Sequence, residues 1–165
     1  MFRQFLEIIR EILDRLLTID PNYPPESIII SGVGVFNPKV GGYTGVVINT
    51  PDNLRAIELS EYRNVKDSKE AALDAIYLGL NTVMASYPSN AFSIQIESDN
   101  AMAIWMLKHP SIKREAHIQR KMDFILYLTE QVTKGVVFTC RKKNSTPPAL
   151  KRAKHLATSG LSRHS

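Results

Sequence analysis

Residues 28–48, IIISGVGVFNPKVGGYTGVVI, restrict what this chain can fold into more than any other stretch. Two runs rich in β-branched residues flank a Gly/Pro/Asn turn, and a connection that short joins only neighbouring antiparallel strands. A third run of the same kind follows the turn TPDN, so strands are predicted near 27–36, 42–49 and 54–62. Ahead of them, FRQFLEIIREILDRLLTID places Phe2, Phe5, Leu6, Ile9, Ile12, Leu13, Leu16 and Leu17 at helical spacing with charges between. This spacing predicts an amphipathic helix over residues 1–20. The prolines of PNYPPE stop it and make residues 21–26 an extended linker to a domain over 27–165.

Beyond the strands the period changes. DSKEAALDAIYLGLNTVMAS predicts a helix to about Ser86 with Ser68 as N-cap. AFSIQIES is a fourth strand that enters the helix AMAIWMLK at Asp99, and HPSIK separates that helix from REAHIQRKMDFILYLTEQV, a longer one. VVFTC after Gly135 is a fifth strand and RKKNSTPP a basic loop. The pair Pro147-Pro148 opens a last helix, ALKRAKHLATSG, closed by Gly160. The order is helix, three strands, helix, strand, two helices, strand, helix, without an internal repeat.

With 165 residues, 44% of them hydrophobic, the chain is sized for one domain with a core. Its single cysteine, Cys140, excludes an internal disulfide and reads as an inert buried thiol. No apolar run approaches the roughly 18 residues of a membrane span, so an intracellular protein with no membrane contact is expected. The net charge of +5 is unevenly spread: residues 134–165 hold eight Lys/Arg and no Asp/Glu. Residues 1–133 therefore carry a net −3. A basic end of this kind suits a phosphate backbone and points to nucleic acid as the partner.

The segment SGVGVFNPKVGGYTGVVI resembles the first hairpin of the ribonuclease H family, type 1 branch, in which an Asp-Gly pair ends strand one and an NPGPGGYG-type turn follows. Asn37, Pro38, Gly41, Gly42, Tyr43 and Gly45 fall in place. DAIYLGL resembles part of the family's first helix, IESDN the end of its central strand, and residues 136–157 its strand, loop and closing helix, so the resemblance covers about 27–160. It implies an α/β fold with a mixed five-stranded sheet, three antiparallel strands plus two parallel ones, flanked by helices. The N-terminal helix is an addition to that core.

The resemblance also gives Ser31 a meaning. In active members four carboxylates hold two magnesium ions, because divalent cations about 4 Å apart need several hard anionic oxygens. Carried over position by position, those carboxylates fall on Ser31, Ala72, Asp99 and Lys154, so only Asp99 survives. The family's mobile histidine falls on Asn144. Glu70 lies about 200° around the helix from position 72 and points away, which leaves Glu97, on Asp99's strand face, as the one spare carboxylate. Asp99 reads equally as an N-cap, and Glu97 as a solvated strand-end residue. The ammonium of Lys154 is placed to fill the space of a metal and pair with Asp99. His109, His117, His155 and His164 lack metal-site spacing, and SGVGVFN lacks the strand-to-helix context of a dinucleotide loop. Trp105 and Met106 are expected in the core or against the long helix.

These readings together describe a catalytically inactive ribonuclease H-like domain that binds structured RNA, double-stranded RNA or an RNA–DNA hybrid. Lys142, Lys143, Asn144, Lys151 and Arg152 form one expected binding surface, and Lys113, Arg114, Arg120 and Lys121 a second. No cofactor is expected; Mg2+ enters only for a residual metal-dependent nuclease, with Asp99 and Glu97 as weak ligands. The alternative from another class is an assembly module that binds a protein or ribonucleoprotein, or itself, through the N-terminal helix.

Overall fold

The hairpin forms where the sequence places it. In the computed structural model, which describes residues 2–18, 27–53, 55–141 and 146–164, strand β1 (Ile28–Asn37) pairs antiparallel with β2 (Gly41–Asn49), Ser31 lying opposite Val47. Strand β3 (Ile57–Arg63) extends the meander, starting later than expected. On the other side β1 is parallel to β4 (Ile94–Ser98), and β4 to β5 (Val136–Cys140), so the sheet order is β3-β2-β1-β4-β5. Among the described residues five helices accompany it: α1 (Phe2–Thr18), α2 (Ser68–Ser86), α3 (Ala101–Lys108), α4 (Ala116–Glu130) and α5 (Pro148–His164). Among the described residues no helix is long and apolar enough to cross a membrane. The linker at 21–26 lies outside the described residues.

Alternation along β1 and β2 divides the core between the two faces of the sheet. Ile28, Ile30, Val46 and Ile48 face α2 and, with Ile76, Met122 and Ile125, make the larger apolar cluster. Val33 and Val47 face the opposite way and pack against Ala149, Leu150 and Ala153 of α5. Helix α5 lies very close to the sheet because it offers small residues: Ala153, Ala157 and Gly160 are buried. The sequence pattern has Gly160 end this helix. It lies instead within it, where a Cβ would stand 2.3 Å from Cδ1 of Tyr43, and the helix continues to His164, whose ring stacks on Tyr43.

The N-cap of α2 is Asp67 rather than Ser68: its Oδ1 accepts from the Glu70 N–H at 2.9 Å, while Glu70 Oε2 accepts from the Lys66 N–H. An Asp with Glu three residues on has the spacing of a capping box, here with the Glu reaching one residue past the cap to the Lys66 N–H, and that spacing outweighs a serine one position later. Partial burial pulls the Asp67 pKa up, but the Glu70 N–H, Lys69 and His117 together bring it below the ordinary 3.8. A carboxyl with a depressed folded pKa contributes stability above its unfolded pKa and loses it as pH falls through the folded value. Asp67→Ala should therefore cost about 1 kcal/mol at neutral pH. In denaturant titrations the gap to the native chain should start to narrow below pH 3.8.

Over residues 2–13 helix α1 leaves its apolar side uncovered: Phe2, Phe5, Leu6 and Leu13 are exposed, Phe2 by 75%. Its Glu11 reaches Arg55 at 3.7 Å.

Candidate functional site

The carboxyl ends of the parallel strands converge with the start of α5, and the four positions singled out by the resemblance separate there into distinct environments. Ser31, Glu97 and Thr139 form one cross-strand row on β1, β4 and β5, facing the α5 side of the sheet. Ser31 is fully buried and its Oγ donates to Glu97 Oε1 at 2.7 Å. Glu97 departs from the solvated strand-end residue that its position suggests. It is 3% exposed, because Arg141, the first residue after β5, donates from Nε to Glu97 Oε2 at 3.2 Å and supplies the opposite charge that a buried carboxylate requires. The Arg141 backbone N–H bonds the Ser98 carbonyl at 2.9 Å, which continues the strand pairing and fixes the base of its side chain.

Asp99 does not cap α3. That role belongs to Asn100, whose Oδ1 accepts from the Ala103 N–H at 3.0 Å. The Asp99 carboxylate turns instead to Lys154 of α5, with Oδ2 and Nζ 3.6 Å apart, as expected from the replacement of a carboxylate by an ammonium. Ala72 is fully buried in the α2 cluster and offers no donor. Glu70 points away, towards α4: together with Asp74 it is held by Lys121 at 3.2 and 2.8 Å, with Arg63 on Asp74 at 3.1 Å and His117 at 3.9 Å from Glu70.

Among the described residues this centre does not present the set of oxygen ligands that a pair of magnesium ions needs. Of the two carboxylates present, Glu97 already receives Ser31 and Arg141, and Asp99 receives Lys154. Both metal-sized charges are met by the chain's own cations, and hard divalent ions would lack several oxygen ligands. In front of Arg141 lies an open-sided cavity of about 450 Å³, lined by Asp99, Arg141, Thr146, Lys151 and Lys154 among others.

The two expected basic surfaces lie in different layers. Lys151 and Arg152 are exposed on α5, Arg152 bonded to Glu58 of β3, whose carboxylate raises the guanidinium pKa further. Lys142, Lys143 and Asn144 lie outside the described residues. In the other group Lys113 and Arg120 are exposed, whereas Lys121 is tied to Glu70 and Asp74. Arg114 closes the α3–α4 corner by donating to the carbonyls of Ile112 at 2.7 Å and His109 at 2.8 Å.

Two residues of interest escape a reading by sequence pattern. Arg141 sits at the edge of the basic loop, and only strand register brings it to Glu97. Trp105, expected in the core or against the long helix, is 45% exposed: residues 103, 104, 106 and 107 supply the buried side of α3 and leave it outside. The His109 ring stacks on it at 4.5 Å, and the Arg114 guanidinium stands 5.8 Å from the ring centre. Met102 is exposed one turn earlier on the same helix.

No family model matches the chain. No curated protein matches it either. Solved structures do. The ribonuclease H1 of the halophilic archaeon Halobacterium salinarum aligns with a TM-score of 0.68 at 16% identity, over 83% of this chain and 98% of that one. LC11-RNase H1, isolated from compost by a metagenomic approach, aligns with a TM-score of 0.69 at 18% identity, over 84% and 97%. The same enzyme in complex with an RNA/DNA hybrid gives 0.69 at 16%, over 82% and 97%. The fold of this chain is therefore the ribonuclease H fold.

Proposed function

We propose that this chain is a ribonuclease H-like domain that binds structured RNA, double-stranded RNA or an RNA–DNA hybrid and does not hydrolyse it. The observation that carries this reading is the closed charge balance of the centre, where Arg141 answers Glu97 and Lys154 answers Asp99. Hydrolysis on this fold uses metal ions to generate the attacking hydroxide and to neutralise the phosphate in the transition state, and the donor set here supports neither role. Binding to the backbone needs no metal. Exposed Lys113, Arg120 and Lys151 supply charge, and the Trp105 ridge adds an aromatic face of the kind that bases or sugars pack against. The complex of LC11-RNase H1 with a hybrid supports the same ligand class for the fold.

The test is a labelled RNA–DNA hybrid incubated with the native chain and with Asp99→Asn, in magnesium and in manganese. Neither protein should cut it. Affinity should fall steeply between about 50 and 200 mM salt, as counterion release requires. Cleavage by the native chain that Asp99→Asn abolishes would instead establish a residual nuclease with Asp99 as a metal ligand.

A second reading, an assembly module, is favoured by one observation, the uncovered apolar side of α1. Under it the native chain sediments as a multiple of 18.6 kDa, and a full-length variant with Phe5→Glu and Ile9→Glu returns to that mass. A native monomer would remove the self-association form of this reading.

A further inference from the structure

We propose that the cavity between α5 and the ends of β4 and β5 is a metal-independent site for one phosphodiester of a nucleic-acid backbone, with Lys154 and Lys151 as its ligands and Asp99 as an internal competitor for Lys154. The proposal rests on the nucleic-acid reading above and assigns it a place. Among the described residues the charged side chains lining the 450 Å³ cavity are Arg141, Lys151, Lys154 and Asp99; with Arg141 answered by Glu97 and Lys154 by Asp99, Lys151 supplies the surplus positive charge.

The three cations are not equivalent. Arg141 has its Nε committed to Glu97, which is 4% exposed at the side chain, so it supplies field but cannot leave. Lys154 and Asp99 are partly solvated, at 57% and 29%, and stand 3.6 Å apart, a weak surface pair. Such a pair opens at little cost when a stronger anion arrives. A phosphodiester keeps its charge at every physiological pH and offers two non-bridging oxygens, one for the Lys154 ammonium and one for Lys151. The cavity is open-sided, as a continuous strand requires, whereas a closed pocket would admit only a small anion. In effect the ammonium stands where the fold's catalytic relatives use a divalent cation, and it meets the phosphate without activating water.

The internal competition yields opposite signs for two neighbouring substitutions. With a labelled RNA–DNA hybrid in EDTA, Lys154→Gln should weaken binding roughly tenfold and lower the slope of log K against log salt by about 1. Asp99→Asn should tighten binding, by roughly threefold to tenfold, since Lys154 no longer has to leave a carboxylate. A gain in affinity cannot arise from misfolding. Lys134→Gln, at the far end of β5 with its Nζ near the Ala91 carbonyl, provides the control for general charge.

If the native chain binds the hybrid but Lys154→Gln behaves like Lys134→Gln, or Asp99→Asn weakens binding, the cavity assignment falls and the nucleic-acid reading stands. If the native chain binds no hybrid even at about 50 mM salt, both fall. Inorganic phosphate titrated against the native chain and Lys154→Gln separates the sources. Binding of phosphate without binding of hybrid would overturn the backbone assignment in favour of a small phosphate ligand.

Discussion

Gly45→Ala should lose about 3 kcal/mol or more of stability, near the top of the range for overpacking. Gly45 lies in the middle of β2, opposite Val33 on β1 and Ser60 on β3. A Cβ there would stand 1.8 Å from the Ala153 carbonyl oxygen and 2.8 Å from the Ala157 nitrogen. Both are helix backbone, so no side chain can rotate away; α5 itself has to lift off the sheet. That movement would uncover Val33, Val47 and Leu150 and carry Lys151 and Lys154 away from the ends of β4 and β5. A melting temperature lower by roughly 6–12 °C is the expected readout for a domain of this size. Gly135→Ala provides the contrast. That glycine has φ +90° and no atom within 4 Å of a built Cβ, so the cost is backbone strain alone, about 1–2 kcal/mol. Equal losses at the two positions would show that α5 yields easily and that its close approach to the sheet does not limit stability.

Arg141→Leu should cost about 3–5 kcal/mol, because it strands a buried carboxylate. Glu97 is almost wholly out of water, and loss of the guanidinium removes the described positive charge beside it while the Ser31 hydroxyl still donates. Adding Glu97→Gln to Arg141→Leu should recover much of the loss. The neutral amide removes the stranded charge while its oxygen still accepts from Ser31. Chemical denaturation of the two single variants and the double one closes the cycle. If the double variant is no more stable than Arg141→Leu alone, Glu97 is not held as a charged partner of Arg141, and the charge balance of the centre fails on that side.

The hairpin was legible because two signals coincide there, a period of two in the apolar residues and a turn only glycine and proline make well. Helices α2 and α4 were legible for the corresponding reason at the helical period. The misreadings are local. Asp67 and Ser68 are both good caps, and only the reach of Glu70 distinguishes them. Gly160 looks like a stop signal until Tyr43, more than a hundred residues away, is known to lie against it. Trp105 reads as a core residue because a large apolar residue on a short helix usually is one, but α3 has one buried side, already filled by Ala103, Ile104, Met106 and Leu107.

The centre itself was half legible. The resemblance supplied its positions, and the chemistry of the replaced residues supplied the pairing of Lys154 with Asp99. The partner of Glu97 was not available by either route. Arg141 meets it only through the parallel register of β4 with β5, and register is a property of the assembled sheet, not of either segment alone.

The closed charge balance also determines how this centre can change one residue at a time. Lys154→Asp alone would set two carboxylates against each other at the cavity with nothing between them. Ser31→Asp alone would bury a second carboxylate beside Glu97 with one guanidinium for both. Ala72→Glu alone would push a charge into the α2 cluster. Each step towards a two-metal centre is unfavourable until the others, and the metals, are in place. For these three positions the cation-filled state is therefore a local floor, which single substitutions towards carboxylates climb out of.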